Sequence, residues 1–172
     1  PLVIDAEEVR MLREEIEAVG RSVMEGKGVQ FDYLIGSMIE LPRACLLADE
    51  LAQYADYFTF GTNDLTQTPL GFSRDDAAGK FMPAYREKKI LKENPFAVLD
   101  RKGVGKLIET AVQKGRSVKP GISFGICGEH GGEPSSIEFC HGAGLTFVSC
   151  SPYRVPIARV AAAQAQIKNP RK

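Results

Sequence analysis

Apolar residues recur along the chain in two rhythms, one helical and one extended. The first helical rhythm begins after Asp5, which forms a capping-box-like start with Glu8, and it stops at Gly26 and Gly28. These signals predict a helix with one apolar face. The residues of that face are Val9, Leu12, Ile16, Val19 and Val23.

Short apolar runs typical of strands follow, and each precedes a helical pattern. Pro1 to Ile4 reads as the end of a further strand. The predicted strands cover residues 31–40, 57–60, 122–127 and 145–149. The predicted helices cover residues 42–54, 104–112, 134–141 and 156–168. Residues 66–94 interrupt the alternation with prolines, glycines and charges, so we expect an excursion over a site or an interface, with a short helix near Tyr85.

Alternating strands and helices predict an α/β fold with a parallel sheet, either doubly wound or barrel. Four βα units plus a leading strand stub make half of an eight-unit barrel. A half barrel has two open strand edges, and we therefore expect partner strands elsewhere. The whole chain, residues 1–172, is predicted to be part of one domain.

Composition narrows the class of protein without identifying it. The 172 residues are 44% apolar and 26% charged, and 22 basic residues balance 22 acidic ones. Neither a nucleic-acid surface nor an anionic-membrane surface is indicated. There is no apolar run of about 20 residues and no signal-peptide pattern. The four cysteines lack Cys-x-x-Cys spacing, which favours reduced thiols and a cytoplasmic location. A plastid or another organelle is the alternative if an upstream targeting segment is missing.

Carboxylates end two successive predicted strands, at Glu40 and Asp64. In parallel α/β folds the carboxyl ends of strands share one rim, where ligands bind. Two carboxylates, with Asn63 as a neutral neighbour, suit Mg²⁺ and leave coordination positions for water and substrate oxygens. Alternatively, each carboxylate caps the helix that follows it. Their occurrence on successive strands favours the metal site.

Cys127 ends a third strand, between Gly125 and Gly128, where missing side chains let a substrate approach the backbone. A free cysteine is more often a buried apolar residue, and Cys45 and Cys140 fit that description. Cys150 competes with Cys127 because it also lies near a strand end, but its serine neighbours look like helix-entry residues. We therefore favour Cys127 as the reactive thiol.

The two histidines are His130 and His141. His141 resembles a residue at a helix carboxyl end. His130 lies three residues after Cys127 and could tune its proton, although a plain loop histidine is an equal alternative. Gly131 and Gly132 could offer backbone N–H groups to an anion, but a glycine pair is commonly just a turn.

At these residues the chain resembles the pyruvate, phosphate dikinase family, in its C-terminal phosphoenolpyruvate/pyruvate domain. The wider superfamily of phosphoenolpyruvate-utilising enzymes includes phosphoenolpyruvate synthase and the phosphotransferase of bacterial sugar uptake, which are similar at fewer of these segments. The matching segments are Gly36-Ser-Met-Ile-Glu-Leu-Pro-Arg-Ala44, Phe60-Gly-Thr-Asn-Asp-Leu-Thr-Gln67, Gly71-Phe-Ser-Arg-Asp-Asp-Ala77, Gly125-Ile-Cys-Gly-Glu-His-Gly-Gly132 and Val148-Ser-Cys-Ser-Pro-Tyr-Arg-Val-Pro-Ile-Ala-Arg159.

The resemblance implies roles for matched positions. Glu40 and Asp64 match Mg²⁺ ligands and also border the substrate, and Cys127 matches the acid/base that protonates the enolate of pyruvate. The resemblance also implies a Tyr, whose hydroxyl lies near the acid/base, at the position where this chain has Phe147. The positions matched to the substrate lining are Gly61, Thr62 and Asn63.

The resemblance also implies partners. The family interconverts ATP, phosphate and pyruvate with AMP, diphosphate and phosphoenolpyruvate, and its phosphate-gripping arginines, phosphohistidine and nucleotide-binding domain lie upstream of the part matched here. We therefore expect this chain to need the remainder of the same polypeptide and not to complete the reaction alone. The family typically forms homodimers through this domain, so a module serving only dimerisation is the alternative function.

Overall fold

The computed structural model describes residues 1–171. The strands are β1 (Ser37–Ile39), β2 (Tyr57–Gly61), β3 (Ser123–Cys127) and β4 (Phe147–Val148). The helices are α1 (Ala6–Lys27), α2 (Pro42–Leu46), α3 (Ala48–Leu51), α4 (Asp64–Leu70), α5 (Arg74–Gly79), α6 (Met82–Glu87), α7 (Val104–Val118), α8 (Pro134–Ala143) and α9 (Val155–Lys168). Short 3₁₀ helices span Glu129–Gly132 and Pro152–Arg154.

The four strands form one parallel sheet in the order β1-β2-β3-β4. Each strand is followed by helix, so consecutive strands lie side by side and all carboxyl ends reach the same edge. This arrangement confirms the α/β class and the C-terminal half of a (β/α)₈ barrel predicted from the sequence. β1 and β4 are the two edges of the sheet.

The two faces of the sheet differ because side chains alternate along each strand. On the helix side, Phe58, Phe60 and Phe124 are fully buried. A Cβ atom placed on Gly115 of α7 would lie 3.0 Å from the Phe124 ring, so this glycine lets the helix approach the sheet closely. The opposite face carries the residues between these phenylalanines and ends in the candidate site.

Helix α1 begins and ends as predicted, but its apolar face is exposed. The Asp5 side chain accepts a hydrogen bond from the Glu7 backbone N–H at 3.1 Å, and Gly28 ends the helix with φ +62°. Among the predicted apolar positions only Val9 is buried. The exposed positions are Leu12, Ile16, Val19 and Val23.

Three local predictions are corrected by the structure. Residues 1–5 are not paired in the sheet, and the strand predicted over residues 31–40 is reduced to β1. The helix predicted over residues 42–54 is interrupted at Leu47, which separates α2 from α3. Because Leu47 has φ −106° and ψ 19°, the helical path breaks there.

The excursion of residues 66–94 is more ordered than predicted. It contains most of α4 and all of α5 and α6, of which only a short helix near Tyr85 was expected. A separate small core holds α5 and α6 together. Its residues are Ala77, Met82 and Phe96, with Phe72, Phe81 and Leu91 packed against them.

Among the described residues, none of the helices combines the length and the apolar character that crossing a lipid bilayer requires.

We expect Phe124→Ala to lower the free energy of unfolding by about 3–5 kcal/mol, because it removes a ring with no exposed surface and leaves a cavity. The matched control is Phe31→Ala, whose ring is 57% exposed and whose loss should cost less than about 1 kcal/mol. Urea unfolding followed by circular dichroism measures both. Equal losses would contradict the assignment of the core to the helix side of the sheet.

Candidate active site

Polar side chains from three strands meet at the carboxyl edge of the sheet. Ile39 pairs with Phe60, which places Glu40 next to Gly61, and Gly61 pairs directly with Cys127. Parallel register therefore puts these three residues in one row across the sheet. Residues adjacent in such a row point to the same face, so the Glu40 carboxylate and the Cys127 thiol share the face away from the helices.

Gly61 makes room for Glu40. A Cβ atom at Gly61 would collide with the Glu40 carboxylate and would lie 2.9 Å from both Glu40 Cβ and Met38 Sδ. Real Cβ atoms do not approach other atoms so closely, so any side chain at residue 61 would displace the carboxylate. The position of Glu40 thus depends on a glycine in the neighbouring strand.

Glu40 is a buried acidic group close to a second carboxylate, that of Asp64. Glu40 is 4% exposed, and its Oε1 accepts a hydrogen bond from the Leu2 backbone N–H at 2.7 Å. Burial raises the pKa of Glu40 and the charge of Asp64 raises it further, whereas the bond from Leu2 opposes the shift. A cation between the two carboxylates would relieve this repulsion.

The residues present fit Mg²⁺. This ion is commonly held by one or two carboxylates while substrate and water complete its octahedral shell. Within residues 1–171 no three His, Cys, Asp or Glu side chains converge as a complete protein cage for a metal. The pair Glu40 and Asp64 therefore resembles an open site of the Mg²⁺ type and lacks the ligand number of a closed structural metal site.

Arg74 also lies at this edge, and sequence reasoning did not select it. Its Nη2 donates a hydrogen bond to Asn63 Oδ1 at 2.9 Å, and its Nη1 lies 3.7 Å from Glu129 Oε1. The guanidinium also lies 5.4 Å from the centroid of the Phe96 ring. The only available signal was its place within the matched segment 71–77. Arg74 brings a positive charge beside the predicted substrate-lining residue Asn63.

The Cys127 thiol is half-buried, and its Sγ lies 3.4 Å from the Phe60 carbonyl oxygen, to which it donates. Burial raises the pKa of the Cys127 thiol; a hydrogen bond with Thr59 lowers it, and the charge of Glu40 raises it. The thiol is therefore held in its protonated form. That form suits a proton donor better than a nucleophile.

Cys150, the competing thiol, lies in a different environment. It packs against the small apolar cluster of Ile137, Ala158 and Ala161 between α8 and α9. It also borders a cavity of about 260 Å³ between the loops that follow β3 and β4. The residues that line this cavity include Glu129 and Arg154 and do not include Glu40 or Asp64.

His130 is fully buried and makes two hydrogen-bonding contacts. Its Nδ1 lies 2.7 Å from Thr62 Oγ1, and its Nε2 lies 2.9 Å from the Pro95 carbonyl oxygen. Thr62 Oγ1 is also 3.0 Å from the Cys127 carbonyl oxygen. The ring is therefore connected to the backbone of Cys127 through the Thr62 hydroxyl.

Gly131, Glu133 and His141 make structural contacts near this edge of the sheet. A Cβ atom at Gly131 would collide with the Ser149 carbonyl oxygen, which explains that glycine by close packing. The Glu133 carboxylate caps α8 by accepting from the backbone N–H groups of Ser135 and Ser136. His141, near the end of α8, contacts the Asn169 carbonyl oxygen through Nε2 at 2.7 Å.

The ring of Phe147 lies over Gly125, and Gly125 lies two residues before Cys127 in β3. A Cβ atom at Gly125 would collide with the Phe147 ring, which also lies edge-on to Tyr57 with ring centroids 6.0 Å apart. Phe147 is thus an aromatic ring that pairs with Gly125, one row of the sheet before the candidate acid/base.

The geometry describes an open acidic pair, a protonated thiol and an arginine at the carboxyl edge of half a parallel barrel. Residues 1–167 match the family described as PEP-utilising enzyme, PEP-binding domain. Because this match covers nearly the whole chain, the chain belongs to that family of phosphoenolpyruvate-utilising enzymes.

Individual relatives narrow the comparison. The chain is 56% identical over 169 residues to pyruvate, phosphate dikinase of Clostridium symbiosum, covering 98% of this chain and 19% of the relative. It is 58% identical over 167 residues to pyruvate, phosphate dikinase of Rhizobium meliloti (strain 1021), covering 97% and 18%. Pyruvate, phosphate dikinase 1, chloroplastic, of Arabidopsis thaliana is 54% identical over 167 residues, covering 97% and 17%. The chain thus spans less than a fifth of the length of these relatives.

We expect iodoacetamide to modify Cys127 and Cys150 in the native chain much faster than Cys45 and Cys140. Burial raises the pKa of Cys45 and of Cys140 to about 12, and neither side chain is open to solvent. Mass spectrometry of the digested chain measures each site separately, and all four thiols should react in denaturant. Rapid labelling of Cys45 in the native chain would contradict the described core.

Proposed function

We propose that this chain is the metal-binding and proton-transferring half of the phosphoenolpyruvate/pyruvate site of a pyruvate, phosphate dikinase. The observation that carries the proposal is the row formed by Glu40, Gly61 and Cys127, which places a buried carboxylate and a protonated thiol on one face. The identity of 52–58% to dikinases favours that enzyme over phosphoenolpyruvate synthase and the sugar-transport phosphotransferase.

Glu40 and Asp64 are the residues that would hold Mg²⁺. When bound, the ion would polarise the oxygens of pyruvate and stabilise negative charge that develops on them. The chain supplies the preorganised part of this interaction, because Gly61 leaves space for the Glu40 carboxylate and the Leu2 N–H fixes its orientation. Asn63, held by Arg74, presents an amide group beside the acidic pair.

Cys127 would move the proton. In the direction of pyruvate synthesis, its S–H gives a proton to the methylene carbon of the enolate, and the thiolate that remains carries the negative charge. In the reverse direction, the thiolate removes a proton from the pyruvate methyl group. The raised pKa of the thiol supports the first role, since it keeps the proton on sulfur until a strongly basic carbon is present.

Arg74 would contribute positive charge near the substrate. The guanidinium donates a hydrogen bond to Asn63, forms an ion pair with Glu129 and makes a cation–π contact with the ring of Phe96. An arginine held on several sides loses little side-chain entropy when an anionic substrate arrives. The other predicted lining residues are Gly61 and Thr62. Gly61 leaves room for the Glu40 carboxylate, and the Thr62 hydroxyl donates a hydrogen bond to the Cys127 carbonyl oxygen.

The remaining parts of the reaction belong to the rest of the polypeptide. The exposed apolar face of α1 and the open edges β1 and β4 offer surfaces that further βα units would cover. Without the upstream arginines and phosphohistidine implied by the resemblance, the chain alone should not complete phosphoryl transfer. Dimerisation through this domain, the location of the protein and ATP use by the whole polypeptide stay predictions.

Replacing Cys127 by Ala in the complete polypeptide should slow exchange of the pyruvate methyl protons with solvent by roughly 10²- to 10⁴-fold, the usual contribution of general acid–base catalysis. Proton nuclear magnetic resonance in D₂O follows this exchange directly. Cys150→Ala is the matched control and should exchange at the normal rate. Near-normal exchange by the Cys127 variant would rule out its role as the acid/base.

Gly61→Ala should weaken Mg²⁺ binding, because the added methyl group displaces the Glu40 carboxylate. Glu40→Gln should weaken it by removing the ligand charge. Titration with Mn²⁺ followed by electron paramagnetic resonance measures binding without requiring turnover. Gly26→Ala is the control, since a Cβ atom there meets nothing within 4 Å. Unchanged Mn²⁺ affinity in both site variants would show that the metal binds elsewhere.

A further inference from the structure

A chain of hydrogen-bonding contacts runs from the Pro95 carbonyl oxygen through the ring of His130 and the Thr62 hydroxyl to the Cys127 carbonyl oxygen. Thr62 follows β2, and Cys127 ends β3. Pro95 belongs to the segment of residues 72–96 that contains the small core, and we name this segment the strap. The contacts are Nδ1 to Thr62 Oγ1 at 2.7 Å, Nε2 to the Pro95 carbonyl oxygen at 2.9 Å, and Thr62 Oγ1 to the Cys127 carbonyl oxygen at 3.0 Å. One buried ring thus connects the strap to the loop of the candidate acid/base.

This network has three contacts and too few protons to satisfy all of them. The carbonyl oxygens of Pro95 and Cys127 can only accept, and the hydroxyl of Thr62 has one proton to donate. A neutral imidazole also has one proton on nitrogen. Burial lowers the pKa of His130, which keeps the ring neutral. Two protons therefore serve three contacts.

Each tautomer of the neutral ring deprives a different carbonyl group of its side-chain donor. With the proton on Nε2, His130 donates to Pro95 and accepts from Thr62, so the Cys127 carbonyl loses the hydrogen bond from the Thr62 hydroxyl. With the proton on Nδ1, His130 donates to Thr62, which then donates to Cys127, and the Pro95 carbonyl loses its donor. The strap and the Cys127 backbone therefore compete for one hydrogen bond.

We infer that His130 is a positioning residue whose hydrogen-bond network has two alternative states. In one state the ring donates to Pro95 and holds the strap, and in the other the Thr62 hydroxyl donates to the Cys127 carbonyl oxygen. The inference rests on the proposed role of Cys127, because only then does the position of its backbone affect catalysis. The strap also carries Arg74, which bonds Asn63, so a movement of the strap changes the substrate-facing side of the site as well.

The competition predicts opposite effects for two substitutions in the complete polypeptide. Thr62→Val keeps the shape of residue 62 and removes its proton, so the ring proton stays on Nε2 and amide hydrogen exchange in residues 89–97 should slow. His130→Asn is too short to reach Pro95, so exchange in the same residues should become faster. Hydrogen–deuterium exchange with mass spectrometry measures both without substrate.

A catalytic readout accompanies the exchange measurement. Thr62→Val should lower kcat for methyl-proton exchange about tenfold, the effect of losing roughly one hydrogen bond to the Cys127 backbone. KM for pyruvate should change less than kcat. Thr62→Ser restores the hydroxyl and should return hydrogen–deuterium exchange in residues 89–97 toward the original rate.

His141→Asn is the control, since this ring contacts Asn169 and lies outside the network. Its exchange in residues 89–97 should match that of the unaltered protein. If Thr62→Val and His130→Asn change exchange in the same direction, the ring is a passive brace and the inference fails. Failure of the proposed function gives a different result, in which Cys127→Ala exchanges pyruvate protons normally while the opposite effects on residues 89–97 persist.

Discussion

Parallel hydrogen bonding between β2 and β3 places Gly61 beside Cys127, and the geometry of the candidate site depends on this pairing. The same register continues into β1, where it brings Glu40 next to Gly61. A slip of one residue in β1 or β3 would point the Glu40 carboxylate or the Cys127 thiol toward the helices. The buried phenylalanines on the helix side prevent such a slip, because they would have to exchange places with polar groups. Core packing therefore maintains the alignment of the reactive groups.

The strand-end positions were predictable because they follow from local patterns. An apolar run ending in an unusual polar residue identified Glu40, Asp64 and Cys127, and parallel topology then required them to share one edge. The cap at Asp5 and the glycine stop at Gly28 were equally local. In these cases residues close in sequence determine the structure, so the sequence alone suffices.

The contacts that sequence reasoning missed are those between residues distant in the chain. The bond from His130 to Pro95 joins positions 35 residues apart, and no spacing rule predicts it. The helices of the strap are too short to show a clear periodic pattern, and their own small core stabilises them. The exposure of α1 was also hidden, since an apolar face indicates burial without saying which element covers it.

The packing of Phe147 over Gly125 restricts how this half barrel can vary. The aromatic ring fills the volume that a side chain at residue 125 would need, so the combined side-chain volume at residues 125 and 147 is limited. Any larger residue at 125 requires a smaller one at 147, and a single change at 125 would press the ring against Tyr57 or force the edge strand β4 away from the sheet. Sequence change at this edge must therefore occur in compensating pairs, and the order of the two substitutions matters: the ring has to shrink before the glycine can be replaced.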